Sequence, residues 1–241
     1  MKNRKLSSHL ERQFFWKGVL DAVPIAVGYI PIATSFGALG VQSNLSTLAC
    51  VAMSLSVFAG ASQFVALGLI ASGAGVSQII LGTFFLNLRH LVMSISLRNY
   101  FGEKSSIVHR ISSLMITDET YALTVNSNND NIYYFLGIGL CSYGSWILGT
   151  FLGGYFSQLI PDEIAASFSL ALYALFIALA VPSIKRSNFS VIACVVSMGV
   201  SLSLYSWLGS GWSIITATIT ASVVTGIAVD ADNRRQRQAK E

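Results

Sequence analysis

Residues 132–156, IYYFLGIGLCSYGSWILGTFLGGYF, contain no acid, lysine, arginine or histidine. A helix needs about 20 apolar residues to cross the hydrocarbon core of a bilayer, and this stretch is long enough. Lipid offers no hydrogen-bond partners, so a spanning segment must satisfy its backbone as a helix or within a closed barrel. Barrel strands alternate apolar with polar residues; this run does not, and a helix is expected. Comparable apolar stretches lie near 18–40, 46–72, 76–97, 163–184, 189–208 and 211–229. The whole chain is 53% hydrophobic and only 11% charged, against roughly 25% charged for a soluble domain. The expected fold is all-α: a polytopic transmembrane helical bundle of about seven or eight membrane passages, some broken or re-entrant.

The net charge of +4 lies largely in the two tails. Lys2, Arg4, Lys5, Arg12 and Lys17 precede the first apolar stretch, and Arg234, Arg235, Arg237 and Lys240 follow the last. Basic residues flanking membrane helices mark the cytoplasmic side, which explains the charge without invoking nucleic acid. Residues 1–17 are therefore read as a basic cytoplasmic segment, 18–229 as a single transmembrane domain and 230–241 as a basic cytoplasmic tail. The apolar segment after Lys17 is longer than a signal-peptide core, so it is read as a retained helix. Cys50, Cys141 and Cys194 lie in apolar stretches without metal-ligand spacing, as free buried residues would.

Seven crossings cannot return the chain to its starting side, so two cytoplasmic termini require one more passage or a re-entrant stretch. The preferred reading puts an eighth passage at 111–127, leaving Arg98, Lys104 and Arg110 outside. The other makes the region near 58–64 or 87–90 a re-entrant turn and lays 103–117 on the surface, where Ile107, Ile111, Leu114 and Met115 have amphipathic spacing. Both put Pro161-Asp162-Glu163 outside and Lys185-Arg186 inside.

Small residues recur every four positions at Gly137, Cys141, Ser145, Gly149 and Gly153, and again at Ala52, Ser56 and Gly60. Such stripes let helices approach closely, and both are expected to be packing seams.

Polar groups within the apolar stretches are the candidates for function. Phe58-Ala59-Gly60-Ala61-Ser62-Gln63-Phe64 carries an amide, and Asn87-Leu88-Arg89-His90 carries a guanidinium and an imidazole. Arg89 at that depth needs a partner or a water path. Asp118 and Glu119 are the nearest unassigned acids; alternatively they complement the dipole of a helix start while Arg89 snorkels to the interface. Asn87, His90 and Ser94 share a helical face that Arg89 does not, so the helix is either interrupted near Asn87 or Arg89 finds an acid on another segment. Asp21, Pro24, Gly28 and Pro31 share one face. Each proline frees the carbonyl four residues back, at Leu20 and Val27, and broken helices of this kind bind polar ligands in transporters. The plain alternative is a proline kink with Asp21 solvated at the membrane edge. His90 and His109 titrate in the range that couples movement to protons, although a hydrogen-bonded structural histidine is the commoner case. No catalytic triad order, phosphate loop or metal-ligand cluster is recognisable. No enzyme, catalytic residue, metal or cofactor is expected.

In this order and spacing, Asp21-x-x-Pro24 with Gly28-Tyr29-Ile30-Pro31, Phe58 to Phe64, Asn87-Leu88-Arg89-His90, Thr117-Asp118-Glu119-Thr120-Tyr121-Ala122-Leu123, and Ser145-Trp146 with Gly149-Thr150 resemble the AzlC-type branched-chain amino acid permease family. Ser169 and Tyr173 stand before Ala174-Leu175-Phe176 where that family often has an acid and a proline. The resemblance implies a bacterial cell-membrane exporter of valine, leucine, isoleucine and also methionine, acting with a small multi-spanning AzlD-type subunit. A zwitterionic substrate needs acceptors for its ammonium and donors for its carboxylate. Asp21 and the carbonyls of Leu20 and Val27 suit the first, and Gln63, Asn87 or Arg89 the second. The expected mechanism is alternating access around a site near 28–31, 60–63 and 87–90, comprising Asp21, Gly28, Pro31, Gly60, Ser62, Gln63, Asn87, Arg89 and His90. Arg89 is expected to pair with Asp118 or Glu119 in one state. A non-transporting scaffold subunit and a channel for small solutes are the rival readings.

Overall fold

The computed structural model describes residues 2–102, 106–159, 177, 181, 184–185 and 187–238. Pro161-Asp162-Glu163, Ser169, Tyr173 to Phe176, Lys104 and Arg186 lie outside the described residues, as does most of the stretch at 163–184. The rest is helical. In order come α1 (Lys2–Asp21), α2 (Val23–Gln42), α3 (Thr47–Ser56), α4 (Gly60–Ala71), α5 (Val76–Phe101), α6 (Ile107–Ser113), α7 (Asp118–Asn126) and α8 (Ile132–Phe156). A final helical run over Asn188–Gln238 is broken at Gly209, giving α9 (Asn188–Gly209) and α10, whose membrane-length part is Trp212–Asp232. Among the described residues, α2, α5, α8, α9 and α10 are long and apolar enough to cross a membrane, while α3 and α4 are shorter apolar helices. The contacts divide the chain into two compact units, Met1–Gln63 with Asn87–Ala171, and Phe64–Leu86 with Leu172–Glu241.

The first unit is built on α8. Helices α1 and α2 run parallel to it, and glycine makes the close approach possible: a Cβ on Gly137 would stand 2.1 Å from the Phe15 carbonyl oxygen, and one on Gly153 only 1.9 Å from that of Thr34. The stripe Gly137, Gly149 and Gly153 is thus the seam on which α1 and α2 lie. The second stripe does not form, because the helix ends at Ser56; Ala52 and Ser56 are exposed, and it is Cys50 and Ser54 that are buried. Of the three free cysteines only Cys50 is buried; Cys194 is exposed.

The chain turns where local chemistry frees it. Asn44 adopts φ 64° after α2, and Ser46 caps α3, its Oγ accepting the Ala49 N–H. Between α3 and α4, Val57 is extended (φ −135°, ψ 94°), so the apolar stretch at 46–72 is two short helices rather than one span. By contrast, α5 runs unbroken through Asn87 and Arg89, so there is no turn at 87–90.

Residues 107–126 correct the preferred topology. They form two short helices, not a passage. Phe101, Ser106 and His109 share a cleft with Leu10, Glu11 and Phe14 of α1 and Ile132 of α8, which puts the end of α5 and the start of α6 at the α1 end of the unit. The chain then climbs along α8: Met115 lies against Gly139 and Thr117 bonds Tyr29, whose ring meets Trp146. Helix α7 returns, with Leu123 packed among Ala22, Tyr134 and Ile138. The α6–α7 pair therefore enters and leaves at one end, and Arg98 and Arg110 lie at the same end as Arg12. A second buried cluster of Met93, Leu97, Ile116 and Phe135 holds the pair between α5 and α8.

In the second unit, Leu69 of α4 approaches Gly82 of α5. Helices α9 and α10 line one cleft from Ala193 to Val229. Gly209 joins them at φ 72°, ψ 176°, a backbone region open essentially to glycine alone.

Candidate functional site

Half-way along α8, polar groups of α2, α3, α4, α5 and α7 come together. Tyr29 of α2 is buried, its ring edge-on to Trp146 (centroids 5.3 Å apart, 80°) and to Phe58 in the α3–α4 break (5.9 Å, 77°). Edge-to-face packing fixes the direction of the phenol. Its hydroxyl donates to Glu119 Oε2 at 2.6 Å and lies 2.8 Å from Thr117 Oγ1. An ionised Glu119 only accepts, so Thr117 donates in turn to the phenol oxygen.

Thr117 and Thr120 form a reciprocal cap at the start of α7: Thr117 N–H donates to Thr120 Oγ1 at 2.8 Å, and Thr120 N–H to Thr117 Oγ1 at 3.2 Å. This places Asp118 and Glu119 in the first helical turn, where the dipole favours carboxylates. Neighbours in sequence, they project differently. Glu119 takes Tyr29, and Asp118 Oδ2 takes Arg89 Nη1 from α5. The Arg89 and Asp118 side chains are 31% and 35% exposed, so the pair is reachable from outside the packed core. Asn87 Oδ1 and Arg89 Nε are buried without a partner among the described residues, an acceptor and a donor left unused two positions apart.

On the other side of Tyr29, Trp146 opens a closed circuit. Its indole N–H donates to Gln63 Oε1 at 2.9 Å, Gln63 Nε2 donates to Ser54 Oγ at 3.0 Å, Ser54 lies 2.8 Å from Thr150 Oγ1, and Thr150 donates back to the Trp146 carbonyl at 2.9 Å. Indole nitrogen is a donor only, so every bond in the circuit has one direction: Ser54 must donate to Thr150. Gln63 is 2% exposed and cannot turn over without losing both partners. Gly60 is required beside it, since a Cβ there would come within 2.5 Å of the Trp146 ring.

Gly60, Gln63, Arg89, Asp118 and Glu119 thus belong to one string of contacts. Ser62 is buried but turned to its own helix, donating to the Ala59 carbonyl at 2.9 Å. His90 is half-buried, and its carbonyl accepts from Ser94 Oγ at 2.6 Å. Asp21, Gly28 and Pro31 are exposed positions of α1 and α2, whereas Tyr29 is buried. Asp21 accepts from Tyr134 at 2.8 Å, which ties the end of α1 to the start of α8. Tyr29, Ser54, Trp146 and Thr150 are site residues that the sequence reading passed over. Tyr29 and Trp146 stand inside the quoted motifs, but an aromatic in an apolar helix reads as core.

Membrane-length helices enclosing a charge pair and a directed hydrogen-bond circuit define the class: a polytopic α-helical membrane protein with an internal polar site. The chain belongs to the AzlC family, whose pattern, described as AzlC protein, matches residues 24–160. It is 34% identical to an uncharacterized membrane protein of Archaeoglobus fulgidus, over 88% of this chain and 94% of that one. It is 29% identical to the inner membrane protein YgaZ of Escherichia coli, over 88% and 87% of the two chains. Identity to the branched-chain amino acid transport protein AzlC of Bacillus subtilis is 22%, over 89% and 87%. No solved structure matches the chain.

Proposed function

We propose that this protein exports hydrophobic branched-chain amino acids across the cell membrane by alternating access, with a small multi-spanning AzlD-type subunit. The observation that carries the reading is the Arg89–Asp118 pair beside Glu119–Tyr29, held within a membrane bundle at the start of α7. Ionisable groups among spanning helices are costly and generally mark a solute or ion path. The carboxylate of a zwitterion matches the unused donor Arg89 Nε, while Asn87, on another face of the unbroken α5, is a separate candidate along the path. Binding of the carboxylate to Arg89 competes with Asp118, so the pair opens as substrate enters and closes as it leaves. Asp21, Gly28 and Pro31, exposed positions of α1 and α2, belong to the path or to the surface that meets the small subunit. The Bacillus subtilis relative, a branched-chain amino acid transport protein, supports the substrate class.

The basic ends Arg12, Arg98, Arg110 and Arg234 are assigned to the cytoplasm, with both termini inside. The test is efflux of labelled valine, leucine, isoleucine and methionine from cells expressing the chain with and without the small subunit. Saturable release of intact amino acid supports export. Release that does not saturate indicates a channel, and none from protein shown to be folded in the membrane indicates a scaffold.

A further inference from the structure

At the α1 end of the first unit a cleft of about 430 Å³ opens between the end of α5, α6 and the start of α8. Its floor is apolar: Leu97, Ile116 and Phe135 are buried, and Phe101 packs against them. Its polar lining is basic or hydroxylic, with Arg98 and Arg110 exposed at the surface and Ser94, Ser112 and Ser113 between them. No acid lines it.

Two buried polar atoms there are unspent. Ser112 is 1% exposed, lines the cleft, and its Oγ has no hydrogen-bond partner among the described residues. His109 engages Ser106 Oγ through Nδ1 at 2.8 Å, which leaves Nε2 buried without a partner among the described residues. Buried polar groups left unpaired are costly, so a ligand that accepts from or donates to them is favoured.

The outer face of α6 says where the cleft sits. Ile107, Ile111 and Leu114 are 61%, 42% and 74% exposed along a helix that also carries Arg110. A short helix with apolar residues outward and a base beside them lies in the headgroup region of a bilayer. A basic pocket between membrane helices at that level, with an apolar floor, has the makeup of an anionic lipid headgroup site.

We infer that this cleft binds the phosphate headgroup of an anionic phospholipid, with Arg98, Arg110 and the Ser112 hydroxyl around the phosphate and an acyl chain along Leu97 and Phe101. The inference does not depend on the export reading. The cleft sits at the base of the α6–α7 pair, which carries Asp118 and Glu119 at its far end.

The test is binding of tail-labelled phosphatidylglycerol to the purified full chain in a neutral detergent. Binding is saturable, is displaced by unlabelled phosphatidylglycerol, and is not displaced by phosphatidylcholine or inorganic phosphate at the same concentration. Arg110→Gln weakens it about fivefold, the worth of one basic residue beside an anionic headgroup. Arg110→Lys retains most of it, and Ser112→Ala weakens it without altering charge. Arg12→Gln, at the same end but outside the cleft, leaves it unchanged. Equal displacement by phosphatidylcholine overturns the headgroup site, and displacement by inorganic phosphate alone makes the ligand a soluble anion. A loss in Arg12→Gln as large as in Arg110→Gln overturns a local site in favour of diffuse surface charge. Thermal melting of each variant separates lost binding from lost fold.

Discussion

Arg89 and Tyr29 divide two adjacent acids between them, and the consequences differ. Asp118 is bound by a charge on a partly exposed side chain, whereas Glu119 is bound by a phenol locked between Phe58 and Trp146. The first is the bond that can exchange for a substrate; the second holds α7 in place. Tyr29→Phe should therefore lower stability more than it changes substrate selectivity, by about 1–3 kcal/mol for a charged acceptor left short of a donor, measured as the melting temperature of the purified protein. Trp146→Phe keeps the ring but removes the indole donor, leaving Gln63 Oε1 buried and unpaired. It should cost a similar amount, and Gln63→Leu in the same background should recover part of it, because removing both partners is cheaper than removing one.

The depth of Arg89 in an apolar stretch was enough to direct attention to Asp118 and Glu119, since a buried guanidinium needs a counter-charge. Which acid it takes was not legible, because that depends on how the first turn of α7 is capped by Thr117 and Thr120. Tyr29 was hidden for another reason: its hydroxyl matters only because residues 88 and 90 positions further along come back to it.

At the scale of elements, α8 is the part most directly readable from sequence, from its uncharged length to its glycine seam. The α6–α7 pair is the part least so. Residues 111–127 are apolar enough to suggest a crossing, yet α6 ends at Ser113 and Thr117 caps a new helix, which divides the segment. Local capping outweighs average hydropathy there. The break at 57–59 falls beside the 58–64 stretch that the alternative topology reads as a turn, although it has no proline and only Gly60 after it. The seam predicts a sharp contrast along α8. Gly153→Ala puts a methyl into the Thr34 carbonyl and should sharply reduce the yield of folded protein, whereas Gly144→Ala, with open space around it, should be silent. Equal yields by size-exclusion chromatography would contradict the packing of α2 on α8.

For the whole molecule, the arrangement of bases is the main statement about orientation. Arg98 and Arg110 share an end of the first unit with Glu11 and Phe14, so a single assignment covers the amino-terminal bases and the α6 bases. In a variant lacking the native cysteines, a cysteine at Arg110 should react with a membrane-impermeant maleimide from the same side as one at Arg12. A cysteine at Asn44, beyond α2, should react from the other side. Labelling of the Arg110 and Arg12 positions from opposite faces would restore a full passage at 111–127. Composition alone established a membrane bundle; the preferred topology read the bases of 98–110 as outside, whereas the start of α6 packs beside α1 and so sets Arg98 and Arg110 at the same end as Arg12.

The most direct test of the account compares valine and leucine efflux from wild type, Arg89→Gln and Arg89→Lys, each supplied with the small subunit and matched for folded protein in the membrane. Loss of a charge-assisted contact worth about 1.5–3 kcal/mol predicts that Arg89→Gln lowers efflux by roughly tenfold or more, with Arg89→Lys in between because a point charge replaces a planar fork. Undiminished, saturable efflux in Arg89→Gln would contradict the central role given to the Arg89–Asp118 pair.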